Sequence, residues 1–212
     1  MRNPADSSLQ PKPAVFFDRD GTLIEETQYL TRREDLRVYP AALEAVRQVN
    51  QNGRLVVVIT NQSAVARGLL SEDDLRALHG FMSDAFQREG ARIDAFFYCP
   101  HHPEAGNGQA CDCRKPQPGL IKRAQRELNI DLNQSYLVGD KLLDVMTARR
   151  AGCKSILVKT GYGQGEWDSI KDKEITDEAD VLTIPDRIVE DVLEAVEWIL
   201  RKSSEEKIQS DH

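Results

Sequence analysis

Leu55-Val56-Val57-Val58-Ile59 is the stretch that most narrows what this chain can fold into. It is apolar at every position and largely β-branched, with no alternation of polar and apolar residues. A strand of that kind is covered on both faces, and a parallel sheet between two layers of helices provides the cover. The rest of the chain supplies the parts. Short apolar runs at 14–17, 95–98, 135–138, 155–158 and 181–184 read as further strands. A helical pattern runs over 40–52, with Pro40 in its first turn and Gly53 beyond its end. Another runs over 72–88, with Ser71 as N-cap and a stop near Gly90. Helices are also expected at 118–128, 142–151 and 186–201. The alternation predicts an α/β fold, a three-layer α/β/α Rossmann-like parallel sheet.

The 212 residues are enough for one domain with a full core. The expected organisation is a flexible N-terminal arm at 1–13, a single domain at 14–201 and a polar tail at 202–212. A net charge of −7 argues against a general nucleic-acid binder, which needs a basic face. No apolar run approaches the roughly 20 residues that span a bilayer, so no membrane partner is expected. The polar N-terminus lacks the apolar core of a signal peptide, and the expected location is cytoplasmic.

In sheets of this class, ligands bind at the carboxyl ends of the strands. The residues there are Asp18 and Asp20 after the first strand, Thr60-Asn61-Gln62-Ser63 after the second, and Gly139-Asp140-Lys141 after the fourth. A cysteine-rich segment carrying Arg114 and Lys115 follows the third. Asp18 and Asp20, two apart, can point the same way, and Gly21 lets the backbone turn sharply after them. Taken alone, that pair also reads as a turn or cap. At the mouth of a buried strand, two acids suit a divalent metal, or a nucleophile with its acid/base partner. Three of the four cysteines, Cys99, Cys111 and Cys113, cluster within fifteen residues. Cys99-x-His101 and Cys111-x-Cys113 offer three thiolates and an imidazole, a closed structural zinc shell that would staple the loop at 99–113. His102 is the competing ligand. Cys153 reads as a small core residue.

Asp18-x-Asp20-Gly21-Thr22, Thr60, Lys115, and Gly139-Asp140 with Asp144 four residues on resemble, in that order, the four motifs of the haloacid dehalogenase (HAD) superfamily. The resemblance spans about residues 15–163. Thr60-Asn61-Gln62-Ser63, Ala66-Arg67-Gly68, Tyr98-Cys99-Pro100-His101-His102-Pro103, Cys111-Asp112-Cys113-Arg114-Lys115-Pro116 and Val138-Gly139-Asp140-Lys141 are similar to a narrower group. These are the D-glycero-D-manno-heptose 1,7-bisphosphate 7-phosphatases and the related histidinol-phosphate phosphatases. The resemblance implies a HAD-like sheet without a large cap domain, because only about forty residues separate the first two motifs.

The activity implied is Mg²⁺-dependent hydrolysis of a phosphate monoester through an aspartyl-phosphate. The implied substrate is the 7-phosphate of the heptose bisphosphate, in nucleotide-heptose and lipopolysaccharide precursor biosynthesis. Asp18 would be the nucleophile and Asp20 the proton carrier, with Thr60 and Lys115 holding phosphoryl oxygens. Mg²⁺ would be held by Asp18, Asp140 and the backbone carbonyl of Asp20, while Asp144 orients Lys115 or a metal-bound water. Glu26, Tyr29, Asn61, Gln62, Ser63, Arg67, Arg114 and Lys141 are the candidate substrate contacts. The family pattern selects His101, with Cys99, Cys111 and Cys113, as the Zn²⁺ ligands. The expected partner is a small phosphorylated sugar, bound by a monomer. Two positions depart from the family: Gln28 stands where glycine is usual, and Ala64-Val65 where Gly-Ile is common. The competing functions are histidinol-phosphate hydrolysis and a non-catalytic binding protein on the same fold.

Overall fold

The computed structural model describes residues 10–106, 111–174 and 176–210. The chain lays down β1 (Lys12–Phe17), α1 (Pro40–Gln51), β2 (Leu55–Asn61), α2 (Ser63–Ala66), α3 (Glu72–Arg88), β3 (Ala95–Cys99) and α4 (Gly119–Leu128). It continues with β4 (Ile130–Gly139), α5 (Leu142–Ala151), β5 (Lys154–Val158), α6 (Gly163–Ile170), α7 (Glu178–Val181), β6 (Arg187–Val189) and α8 (Val192–Ser210). The strands form one sheet in the order β3-β2-β1-β4-β5-β6, and every pairing is parallel.

Alternate side chains of the central strands feed two cores. Val15, Phe17, Val56 and Val58 pack with α1, α3 and α8. Ala14, Phe16, Val57 and Ile59 pack with α4 and α5 on the other side. This is why β2 is apolar at every position from Leu55 to Ile59. In α1, the buried residues Ala42, Ala45, Val46 and Val49 fall three or four apart, so one stripe faces the sheet. Ser71 caps α3 by accepting from the Asp74 N–H at 3.0 Å, and Glu72, Asp73 and Asp74 place negative charge at the positive end of the helix. Residues 18–39 join β1 to α1 as a loop that contains one 3-10 turn at Arg33–Asp35, with Ile24 bridged to Asp20 and Val38. No separate cap domain is built there.

The register sets up a site. Phe17 lies level with Val58 of β2 and Val138 of β4. Asp18, Thr60 and Asp140 therefore leave the sheet within two residues of the same level. The chain reverses its direction across the sheet between β1 and β4, and such a switch point opens a crevice.

The C-terminal part corrects the expected strand at 181–184. Val181 ends α7, Leu182 and Thr183 form a turn, and the last strand is β6. The helix expected from 186 begins instead at Val192, where Asp191 accepts from the Leu193 and Glu194 N–H groups. It continues to Ser210, so the segment expected as a tail from 202 is helical through that residue. Most of the expected arm, residues 1–9, and part of the cysteine loop, 107–110, lie outside the described residues.

Candidate active site

A cleft of about 230 Å³ opens at the carboxyl ends of β1, β2 and β4. Asp18, Asp20, Thr60, Lys115 and Asp144 line it, together with the expected contacts Glu26, Tyr29, Asn61, Gln62, Ser63, Arg114 and Lys141. Arg67 does not line it: it follows α2 and lies 3.5 Å from His102 Nε2.

Asp18, Thr60, Lys115, Asp140 and Asp144 are each at most 5% exposed. Lys115 Nζ lies 2.9 Å from Asp18 Oδ1 and 2.5 Å from Asp144 Oδ1. Burial works against its charge, but the carboxylates of Asp144 and Asp18 outweigh it and raise its pKa, so Lys115 is a permanent cation. Its backbone is fixed as well: Lys115 N–H donates to Asn61 Oδ1 at 3.0 Å, and Asn61 Nδ2 donates to the Lys115 carbonyl at 3.1 Å. Asn61 thus positions the lysine. Asp144 Oδ2 accepts from the Lys141 N–H at 3.2 Å, so one carboxylate caps α5 and pairs with Lys115.

Asp18 Oδ1 also accepts from the Arg19 N–H at 2.7 Å, while Oδ2 takes no hydrogen bond among the described residues. Asp20 is clamped by Arg19, whose Nε and Nη2 donate to its two oxygens at 3.1 and 2.9 Å, and by Gln62 Nε2 at 3.2 Å. Burial would raise the Asp20 pKa, but the Arg19 charge and its hydrogen bonds lower it overall. Gln62 Nε2 also donates to Thr60 Oγ1 at 2.8 Å. Sequence reasoning missed Arg19, which is 2% exposed. In sequence it stands between two site acids, a place that reads as a solvated charge.

Asp140 has the surroundings of a cation ligand. Its Oδ2 accepts from the Tyr162 N–H at 2.9 Å, but its Oδ1 is buried with no hydrogen-bond partner among the described residues. Burial, then the Asp18 and Asp144 carboxylates, push its pKa up to about 8. Burial, with the Asp18 carboxylate adding to it, raises Asp144 to about 6 against the pull of Lys115. Oxygens of Asp18, Asp140 and Asp144 lie within 4.8 Å of one another. With both Asp144 oxygens engaged, Asp18 and Asp140 are the donors left for a hard divalent cation, and Mg²⁺ fits that set. The backbone closes tightly behind them: a Cβ at Gly21, where φ is +78°, would fall 2.1 Å from Asp140 Oδ2.

Cationic groups guard the outer cleft. Lys141 Nζ lies 3.3 Å from Glu26 Oε2 and 4.4 Å from the centre of the Tyr162 ring. Arg114 Nη1 donates to the His101 carbonyl at 2.9 Å. That carbonyl belongs to the cysteine cluster, in which Sγ of Cys99, Cys111 and Cys113 and a nitrogen of His101 lie within 4.8 Å of one another. The Cys99–Cys111, Cys99–Cys113 and His101–Cys113 separations are 3.6, 3.1 and 3.3 Å, and no disulfide forms. A tetrahedron with Zn–S bonds of about 2.3 Å has edges of about 3.8 Å, so the cluster is close to the size of a zinc shell. His102 turns away, and its Nδ1 accepts from the Glu104 N–H at 3.1 Å.

A doubly wound sheet with two acids after β1 and a lysine facing a buried acid trio defines a HAD-like hydrolase. The HAD-hydrolase-like family model matches residues 112–195. The D-glycero-beta-D-manno-heptose-1,7-bisphosphate 7-phosphatase of Pasteurella multocida is 44% identical over 154 residues, 71% of this chain and 83% of that protein. The D-glycero-D-manno-heptose-1,7-bisphosphate 7-phosphatase of Thermosynechococcus vestitus is 38% identical over 196 residues, 89% of this chain and 96% of that protein. Among solved structures, the D,D-heptose 1,7-bisphosphate phosphatase of B. bronchiseptica, complexed with magnesium and phosphate, superposes with a TM-score of 0.77 at 32% identity. It covers 90% of this chain and 99% of its own. The chain belongs to the HAD phosphatases, phosphoric monoester hydrolases, in the family of these heptose bisphosphate 7-phosphatases.

Proposed function

We propose that this chain removes the 7-phosphate of D-glycero-D-manno-heptose 1,7-bisphosphate, with Asp18 as nucleophile. The observation that carries the reading is the Lys115 ammonium held between Asp18 and Asp144 at the foot of a cleft whose rim bears Arg114 and Lys141. Asp18 would attack phosphorus and form an aspartyl-phosphate, which water then hydrolyses. Lys115 faces Asp18 already charged, so it can neutralise a phosphoryl oxygen without reorganising. Thr60, whose hydroxyl oxygen already accepts from Gln62, retains its proton to donate to another. Asp18, Asp140 and the Asp20 carbonyl would hold Mg²⁺, which when bound supplies positive charge to the phosphoryl oxygens and lowers their repulsion of Asp18. Asp20 is held as a carboxylate by Arg19, the form that takes a proton from the hydrolytic water. A dianionic phosphate beside it raises its proton affinity, the form needed to protonate the departing alkoxide.

The rim suits a substrate with a second phosphate, because an Arg fork matches phosphate geometry and Lys141 adds a point charge. Glu26 and Tyr29 would meet the sugar between. Cys99, His101, Cys111 and Cys113 would hold a structural Zn²⁺ that fixes the segment leading into Arg114 and Lys115. Phosphate release from the heptose bisphosphate, with histidinol phosphate as the comparison, tests the assignment. Preference for histidinol phosphate would overturn the heptose reading, and no turnover of any phosphomonoester would overturn hydrolysis itself.

A further inference from the structure

We propose that His79, on α3, is a positioning residue for the reaction: it holds Arg19, and Arg19, braced by Gln62, aims the Asp20 carboxylate. The inference rests on the reading of Asp20 as the proton carrier. Arg19 is a buried guanidinium, and every direction in which it is bound is fixed by a named partner. Nε and Nη2 donate to Asp20, Nη2 also donates to Gln62 Oε1 at 3.0 Å, and Nη1 lies 3.3 Å from His79 Nε2. An arginine can only donate, so Nε2 must accept. The imidazole can do so because burial, then the Arg19 charge, lower its pKa to about 3 against the pull of Asp20. It is neutral throughout the neutral range and carries its own proton on Nδ1.

The ring is itself immobilised. His79 is 5% exposed and stacks on Phe96 of β3 at 4.5 Å between centroids, with 13° between planes. Tyr98 meets it at a tilt, 5.8 Å away. A rigid acceptor thus sits at the back of Arg19 and the carboxylate at its front. Without that acceptor, Nη1 would be a buried donor with no partner, and the guanidinium gains by turning elsewhere and taking Asp20 with it. The reactive position of a catalytic group tolerates little displacement.

The test uses the full chain with Mg²⁺ and the heptose bisphosphate. His79→Leu keeps bulk but removes the acceptor, and His79→Asn, whose amide stops short of Arg19, repeats the change with a polar group. His79→Gln restores an acceptor at the reach of Nε2. Thermal melts check that each variant is folded. The expected result is a loss of roughly tenfold or more in kcat for Leu and Asn, with KM within about twofold, and recovery in Gln. In an Asp20→Asn background the His79→Leu change should add no further loss, since both act through one carboxylate. Equal losses in Gln and Leu, or the same fold-loss with and without Asp20, would overturn the inference while wild-type turnover leaves the proposed function standing. Wild-type enzyme without turnover would overturn the function itself.

Discussion

Lys115 Nζ sits within 3 Å of Asp18 and Asp144, and all three side chains are withdrawn from water. Removing the ammonium strands two buried carboxylates. Lys115→Met should therefore destabilise the metal-free protein by about 3–5 kcal/mol in urea unfolding, besides abolishing turnover. A change below about 1 kcal/mol would mean that the triad is not the electrostatic unit described here. Gly21→Ala adds a methyl where φ is +78° and where the Asp140 carboxylate already sits. It should raise the Mg²⁺ concentration needed for half-maximal activity at least severalfold; an unchanged Mg²⁺ titration would contradict the tight closure behind Asp140. At this scale the gathering of Asp18, Thr60 and Asp140 was legible, because the strands they follow end side by side in the sheet. The place of Arg19 was not. A cation between two acids reads as a solvated charge, and its burial depends on Gln62 and on His79, sixty residues further along the chain.

The segment entering α4 shows how one element sets another. The Cys99, His101, Cys111 and Cys113 cluster immediately precedes Arg114 and Lys115, and Arg114 is tied to the His101 carbonyl. Chelation of zinc should loosen that segment and abolish activity that added Mg²⁺ does not restore, with re-added Zn²⁺ restoring it. Full activity in zinc-depleted protein, checked by metal analysis, would remove the stapling role. α3 offers a contrast. Ser71→Ala should lower stability by about 1 kcal/mol in thermal or urea unfolding, through loss of the N-cap, with kcat unchanged. A stability change near zero would argue against the cap. The buried strands and long helices were readable because their burial forces a pattern. β6 was not, since an edge strand of three residues buries only Val189 fully and pairs on one side. The apolar run at 181–184 was more hydrophobic and drew the assignment, yet it forms the end of α7 and a turn.

For the molecule as a whole, the crevice between β1 and β4 concentrates acids that resist ionisation without a cation. The folded protein keeps protons on Asp140 and Asp144 that the unfolded chain releases near the ordinary carboxylate pKa. Across the window from about 4 to about 8 the native state binds more protons, so stability falls as pH rises. Melting temperatures of metal-free protein should drop through that window, and Mg²⁺ should remove most of the drop. A pH-independent difference between the two series would contradict the cation site. The fold class followed from the all-apolar run Leu55–Ile59 together with the strand–helix alternation around it, which supplies a helical layer for each face. Substrate choice did not, because Glu26, Tyr29, Arg114 and Lys141 meet only in the folded cleft. The most direct measurement of the central claim is ³¹P NMR of heptose 1,7-bisphosphate turned over with Mg²⁺ by wild-type and Asp18→Asn proteins. The account predicts loss of the C7 phosphate signal, retention of the C1 signal and no reaction with the folded Asp18→Asn variant. Release from C1 or turnover by Asp18→Asn would contradict it.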